Sequence, residues 1–325
     1  MGKSRLTRNM LWLSAAGVAI LFLPLIGGDQ FLHIMIMVFL YAYLGSCWNI
    51  LGGYGGQFSI GHGVFFGVGA YTSSLLFARL GISPWLGMLV GGFLAALVGL
   101  AFGLVTFRFG LKGHFFALAT IAFCKVMEII ALNWEFIGGA VGIVIPPGNP
   151  SFFIFQFNQK APFYYIMYGF MLLSILIVFL VNRSKIGLYL AAIREDEDAA
   201  KALGVNLLKY KVYAITISAF FTALGGTFYA QYLTYIDPTF TLSVGISIEI
   251  IVRPILGGVG TIMGPILGAF ILDPLAEISR NFLGGYSGVH LVSYGALLIA
   301  CCLFLPNGII NDIPFFARIF RSHIE

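Results

Sequence analysis

The chain has 325 residues, 59% of them hydrophobic and 10% charged, with a formal net charge of +5. Soluble domains carry about 25% charged residues, so there are too few polar side chains here to cover a water-soluble globule. Continuous apolar runs, rather than alternation over about 10 residues, exclude a transmembrane barrel and predict an all-α bundle.

The first run, 11–27, follows Lys3, Arg5 and Arg8 and contains the small residues Ala15, Ala16 and Ala19. A second run follows at once, which predicts an uncleaved signal-anchor helix rather than a removed leader. Further runs cover 31–51, 63–80, 84–107, 114–132, 163–182, 210–233, 244–257, 262–278 and 289–306, ten in all. The run 244–257 is short and reads as a re-entrant or broken helix. The whole chain, 1–325, reads as a single transmembrane domain.

With the N-terminus inside, the internal segments are the N-tail, 108–113, 183–211 and the C-tail. They hold Lys3, Arg5, Arg8, Arg108, Lys112, Arg183, Lys185, Arg194, Lys201, Lys209, Lys211, Arg318 and Arg321, which is 13 of the 18 basic residues. External loops keep Arg79, Lys160 and Arg280, and Lys125 and Arg253 fall within runs. By the positive-inside rule this asymmetry predicts ten crossings with both termini cytoplasmic. The net charge follows from that topology and calls for no nucleic-acid partner.

The longest external stretch, 133–162, contains Pro146, Pro147, Pro150, Pro162 and several Phe, with Glu135 and Lys160 its only charges. It is too apolar for a free linker and is expected to pack on the bundle or lie along the interface, with docking of a soluble partner as the alternative. Cys47, Cys124, Cys301 and Cys302 sit in apolar runs and read as packed thiols. His33, His62, His114, His290 and His323 are scattered, so no metal site is expected. The phosphate-binding loop G-x-x-x-x-G-K-[ST], H-E-x-x-H and G-x-S-x-G are all absent, so the chain is expected to bind no cofactor and to catalyse no reaction.

Four segments carry more information. Gly52 to Gly63 (GGYGGQFSIGHG) is half glycine, and glycine costs about 1 kcal/mol relative to alanine inside a helix. Irregular backbone at membrane depth is tolerated only against protein or a water-filled cavity. Gln57, Ser59, Gly61 and His62 are therefore candidates for lining or gating a pathway, with glycine-mediated helix packing as the alternative. The later segment Leu256 to Pro265 (LGGVGTIMGP), with Gly257, Gly258 and Gly260, echoes the first, and broken helices in corresponding halves point to a transport site. The third segment, Arg194-Glu195-Asp196-Glu197-Asp198-Ala199-Ala200-Lys201-Ala202-Leu203-Gly204, is the densest charge cluster. Acids at its start, good helix formers after them and Gly204 at its end predict a short cytoplasmic helix, either merely solvated or a docking element. The fourth feature is two intramembrane pairs, Lys125 with Glu128 and Glu249 with Arg253, each able to share a helix face. Each reads equally as a structural ion pair or a substrate contact.

These segments are familiar together. The chain resembles the LivM-type permease subunits of ABC importers for branched-chain amino acids, over Gly52–Thr72, His114–Ile130, Ser184–Ala230, Ile255–Phe270 and Leu303–Gly308. The resemblance implies a pore-forming subunit that moves leucine, isoleucine and valine across a bacterial inner membrane. The implied partners are a second homologous permease, two ATP-binding subunits that hydrolyse ATP, and an external substrate-binding protein. It also implies that the Arg194–Gly204 helix docks in the ATPase. Asp198-Ala199-Ala200 and Gly204 match the loose family pattern E-A-A-x-x-x-G with Asp for Glu. Other cargoes (urea, short amides, sugars) and a stand-alone ion-coupled transporter are the alternatives.

Overall fold

A computed structural model of the chain describes residues 20–25, 27–148, 150–283 and 308–312, with isolated positions 17, 295, 299 and 303. Most of the predicted runs 11–27 and 289–306, both termini, Cys301 and Cys302 lie outside the described residues.

The second run forms α1 (Asp29–Asn49), extended by a π-helical turn at Ile50–Tyr54. Its sequence is apolar on every side, and such a helix belongs at the centre of a bundle. Val38 to Tyr54 is buried without a gap. Helix α2 (His62–Leu80) ends at Gly81 in the left-handed conformation. Helix α3 (Pro84–Arg108) opens with proline at its first position, where no amide hydrogen is needed. Its buried face is a ladder of small residues, Gly87, Gly91, Ala95, Gly99 and Gly103, which lets α2 and the later helix α8 (Leu207–Leu233) approach its backbone. The opposite face, with Phe93, Leu97 and Leu104, is exposed, as suits a lipid contact.

Helix α4 (Gly113–Asn133) buries one stripe, Phe116, Thr120, Cys124, Glu128 and Ala131. Helix α5 (Lys160–Arg183) packs on α1, and the charged segment forms two short helices, α6 (Lys185–Glu195) and α7 (Glu197–Ala202). After α8 come α9 (Pro238–Thr241), α10 (Val244–Gly257), α11 (Gly264–Leu283) and α12 (Ile309–Asp312). The run 244–257 is thus the longer part of a broken helix, interrupted at Leu242–Ser243.

Seven segments among the described residues are long and apolar enough to cross a membrane: Asp29–Tyr54, His62–Leu80, Pro84–Arg108, Gly113–Asn133, Lys160–Arg183, Leu207–Leu233 and Pro238–Gly257. They correspond to seven of the ten predicted runs. The run 262–278 is also helical, as α11, which carries Asp273, Glu277 and Arg280. The protein is an all-α, multi-pass membrane protein.

The connections sort to two ends. At one end, strands β1 (Ile143–Val144) and β2 (Tyr235–Ile236) pair antiparallel. There Trp85 donates to the Phe152 carbonyl at 2.7 Å and stacks on Phe155, with ring centres 4.4 Å apart. The 133–162 stretch therefore packs on the bundle, as its composition predicts, with Ile137, Ile145 and Phe155 buried. At the other end lie Gly52–Gly61, Lys112, α6, α7 and Gly258–Thr261, joined by the contacts described below. Consecutive helices that alternate in direction require this separation.

Helices α2 and α8 cross at glycines: a side chain on Gly226 would meet the Phe66 carbonyl, and one on Gly69 the Ala223 carbonyl. Gly226→Val is expected to cost about 3 kcal/mol or more through overpacking, read as a lowered thermal midpoint in detergent. Gly169→Ala, where nothing lies within 4 Å, is expected to leave the midpoint unchanged or raise it.

Candidate translocation and coupling site

The first glycine segment closes the π-helical end of α1. The Trp48 ring occupies the space that a side chain on Gly52 would fill, and its indole N–H donates to the Ser59 carbonyl at 2.8 Å. Gly53 leaves room for two groups at once, the Asn49 carboxamide and the Gly260 backbone. Asn49 bridges the two glycine segments. Its Oδ1 accepts from the Gly260 N–H at 2.8 Å, and its Nδ2 donates to the Thr261 carbonyl at 2.8 Å. The segments that echo each other in sequence, 207 residues apart from Gly53 to Gly260, are thus clamped together in space.

The second segment is folded by its own close approaches. A side chain on Gly257 would collide with the Gly264 carbonyl. Gly258 has φ +131°, and its carbonyl accepts from Thr261 Oγ1 at 2.8 Å. That hydroxyl in turn accepts from the Gly264 N–H at 3.0 Å.

From Gly55 the chain runs back into the bundle without helix, to His62. The Ile60 N–H donates to Thr120 Oγ1 at 2.9 Å, seven residues into α4. Gly61 lies against the Thr120 backbone, and the Gly63 N–H donates to Ser247 Oγ at 2.8 Å on α10. His62 is fully buried, with Nε2 2.8 Å from Ser218 Oγ and Nδ1 3.2 Å from Ser59 Oγ. Ser218 itself donates to the Cys47 carbonyl at 2.7 Å. Gln57 and Ser59 are buried as well.

The charged segment docks directly on these breaks. Arg194 Nη1 donates to the Gly53 carbonyl at 3.1 Å, and the Arg194 side chain packs on Gly56, where φ is +64°. Glu197 Oε1 accepts from Gln57 Nε2 at 3.1 Å and from Lys211 Nζ at 2.5 Å. Asp196 caps α7: its Oδ1 accepts from the N–H groups of Asp198 at 2.8 Å and Ala199 at 2.9 Å. Those two donors, Ala199 foremost, hold its carboxyl below the usual carboxylate range. The stability from this cap is therefore full above the free carboxylate pKa and is lost as the pH falls through the depressed value. The helix ends in a Schellman arrangement, with the Gly204 N–H on the Lys201 carbonyl, the Val205 N–H on the Ala200 carbonyl, and Gly204 at φ +84°. Ala200 is buried, whereas Glu195, Asp198, Ala199 and Gly204 face outward, as does Leu203, 83% exposed. Asp198 lies 3.9 Å from Lys112.

The single helix read across Arg194–Gly204 is thus two helices meeting at Asp196. Of the intramembrane pairs, Lys125 and Glu128 join as their spacing predicts. Arg253 takes a different principal partner: its Nη2 lies 2.5 Å from Asp273 Oδ1 on α11, while its Nη1 donates to the Glu249 backbone carbonyl and stays 4.0 Å from the Glu249 carboxylate. That carboxylate accepts from Tyr41 instead. Sequence spacing finds neighbours on one helix, whereas Asp273 comes from the next. Asn49 and Lys211 were missed. The signal for Asn49 was an amide inside an apolar run one turn before Gly52-Gly53. Lys211 gave none, being one of several lysines on a charged loop.

Hydrogen bonds thus join α6–α7 to Gly53 through Arg194 and to Gln57 through Glu197, and Asn49 joins the end of α1 to Gly260. Residues 30–302 match the family described as the branched-chain amino acid transport system / permease component. The high-affinity branched-chain amino acid transport system permease protein LivM of Escherichia coli is 28% identical over 93% of this chain and 75% of its own length. The LivH permease of the same kind of system in Salmonella typhimurium is 26% identical over 87% of this chain and 97% of its own. A probable LivH of Methanocaldococcus jannaschii is 24% identical over 74% and 79%. No solved structure matches the chain. The chain belongs to the branched-chain amino acid transport permease family.

Proposed function

We propose that the chain is a pore-forming permease subunit of an ATP-driven importer that moves leucine, isoleucine and valine across a bacterial inner membrane. The cargo rests on the LivM and LivH relatives, which are permeases of high-affinity branched-chain amino acid transport systems. One observation carries the coupling part: the charged α6–α7 segment is bonded twice to the first glycine segment, through Arg194 to Gly53 and through Glu197 to Gln57, and Asn49 ties that segment to the second.

In this reading the chain is one domain of ten crossings with both termini cytoplasmic, and 183–211 is the cytoplasmic coupling loop. The exposed Leu203, Asp198 and Ala199 meet one of two ATP-binding subunits, which bind and hydrolyse ATP; the chain carries no cofactor of its own. A second homologous permease completes the pore, and a soluble external protein delivers the amino acid. Closure of the ATPases displaces α6–α7, and the Gly53–Gly260 clamp and the Gly55–Gly61 stretch rearrange to open the inner side.

The deciding experiment is leucine, isoleucine and valine uptake into proteoliposomes holding this chain, with and without its ATPases, partner permease and binding protein. Uptake that needs ATP and all partners is the expected result. Uptake by this chain alone, driven by an ion gradient, overturns the reading; ATP hydrolysis by the full assembly without uptake of these amino acids overturns the cargo. A companion variant, Arg194→Glu with Gly204→Leu, is expected to insert normally and hydrolyse ATP without import. It loses the bond to Gly53 and places a side chain at a left-handed residue, at a cost of about 1–2 kcal/mol. Wild-type uptake by this variant removes α6–α7 from the coupling path.

A further inference from the structure

Helix α4 carries an ion pair that the coupling reading does not use. Lys125 is the thirteenth residue of the 21 in Gly113–Asn133, about 18 Å along the helix at 1.5 Å per residue. The hydrocarbon core is about 30 Å thick, so the pair sits well inside it. Lys125 Nζ contacts both oxygens of Glu128 at 2.9 Å. The Lys125 side chain is 56% exposed and that of Glu128 10%.

A lysine facing lipid stretches its stem toward the interface. Lys125 turns along the helix and pairs with Glu128, so neither charge is left without a partner. Ionisable groups in this position face the bundle interior or a water-filled cavity, because the bilayer interior penalises charge. The pair lies beside a helix interruption. Cys124, the preceding residue, donates to the Leu242 carbonyl at 3.0 Å. This places the interruption between α9 and α10 beside the pair, and α9 packs on α4. Interrupted helices near the bilayer centre are where transporters bind cargo. Along the face of α4 that bears Lys125, the exposed residues are Leu118, Ala122 and Ile129.

We infer that Lys125 and Glu128 form a transit site for the amino-acid zwitterion. Lys125 takes the α-carboxylate and Glu128 the α-ammonium, and the Leu118–Ala122–Ile129 face accepts the aliphatic side chain. An adjacent cation and anion complement an adjacent anion and cation, and when the cargo leaves they neutralise each other. The site therefore never exposes an uncompensated charge at depth. The inference rests on the importer reading above and names the contact made inside the pore.

The test uses the assembled transporter, with its ATPases, partner permease and binding protein, carrying Ala122→Cys, one turn from Lys125 on the same exposed face, with Cys301→Ala and Cys302→Ala; Cys47 and Cys124 are buried. A charged methanethiosulfonate reagent is expected to modify the new thiol. Leucine is expected to slow the modification several-fold, and 3-methylbutylamine, which lacks the carboxylate, is not. Lys125→Met is expected to lower leucine uptake about tenfold or more, because Glu128 is left without its cation, and Lys125→Arg to retain much of it. Three results overturn the inference while leaving the importer reading intact: no modification by the charged reagent, modification that leucine does not slow, or wild-type uptake by Lys125→Met. Failure of the unsubstituted assembly to import leucine overturns the importer reading instead.

Discussion

Glu197→Leu is expected to abolish ATP-driven uptake while the complex still inserts. Its carboxylate lies 2.5 Å from Lys211 Nζ, and the two side chains are 19% and 5% exposed. Truncating one partner of a buried pair strands the other charge, at a cost of about 3–5 kcal/mol. That cost falls at the joint between α7 and α8. Gln57 shares the same carboxylate oxygen, so the Gly55–Gly61 stretch loses its tie to α7 as well. The double variant Glu197→Leu with Lys211→Met separates stability from coupling. Replacing both charges with apolar groups of similar volume is often neutral for stability, so the thermal midpoint is expected to recover. Uptake is not, because Gln57 still lacks its acceptor. Recovery of both quantities would show that the pair serves folding alone.

Gly61→Leu is expected to block uptake and to preserve assembly with the partner subunits. The first side-chain carbon at Gly61 would lie 2.8 Å from the Thr120 carbonyl oxygen and 3.1 Å from Thr120 Cβ. The oxygen belongs to helix backbone and has no rotamer into which it can move. The Gly55–Gly61 stretch must lift from α4 or α4 must shift, and either breaks the Ile60 bond to Thr120. Thr120→Val, which removes the acceptor without a clash, is expected to cost about 1 kcal/mol and to lower uptake less. Uptake by Gly61→Leu at the unsubstituted rate would mean that this stretch is passive packing, outside the moving parts. Co-purification with the partner permease distinguishes a blocked pathway from a chain that fails to assemble.

Much of the candidate site was legible because its chemistry is unusual for its setting. Glycines and Gln57 within an apolar chain, and a dense charge cluster ending at Gly204, stand out against lipid as the reference solvent. Their relation to one another was not legible. Nothing between Gly53 and Gly260 announces that an Asn49 carboxamide will bridge them. Hydrogen bonds across 211 residues depend on how α1 and α10 pack, not on local pattern. The same limit applies to Arg253, whose i,i+4 neighbour Glu249 is visible in the sequence and whose principal partner Asp273 is not. The break at Asp196 was hidden for another reason. Aspartate is acceptable in the first turn of a helix and better still as its cap, and only the directions of α6 and α7 decide between the two.

By itself the sequence determined the solvent, the class of secondary structure and the positions of most helices. Those follow from burial of apolar area and from the need to satisfy backbone hydrogen bonds in lipid, and both are read from runs of about 20 residues. The tertiary structure alone decided which helix lies at the centre, that the two glycine segments form one clamp, and that the charged helices grip it through Arg194 and Glu197. Those are outcomes of packing. A glycine permits a close approach without naming what approaches, and a buried polar group requires a partner without saying from which helix it comes.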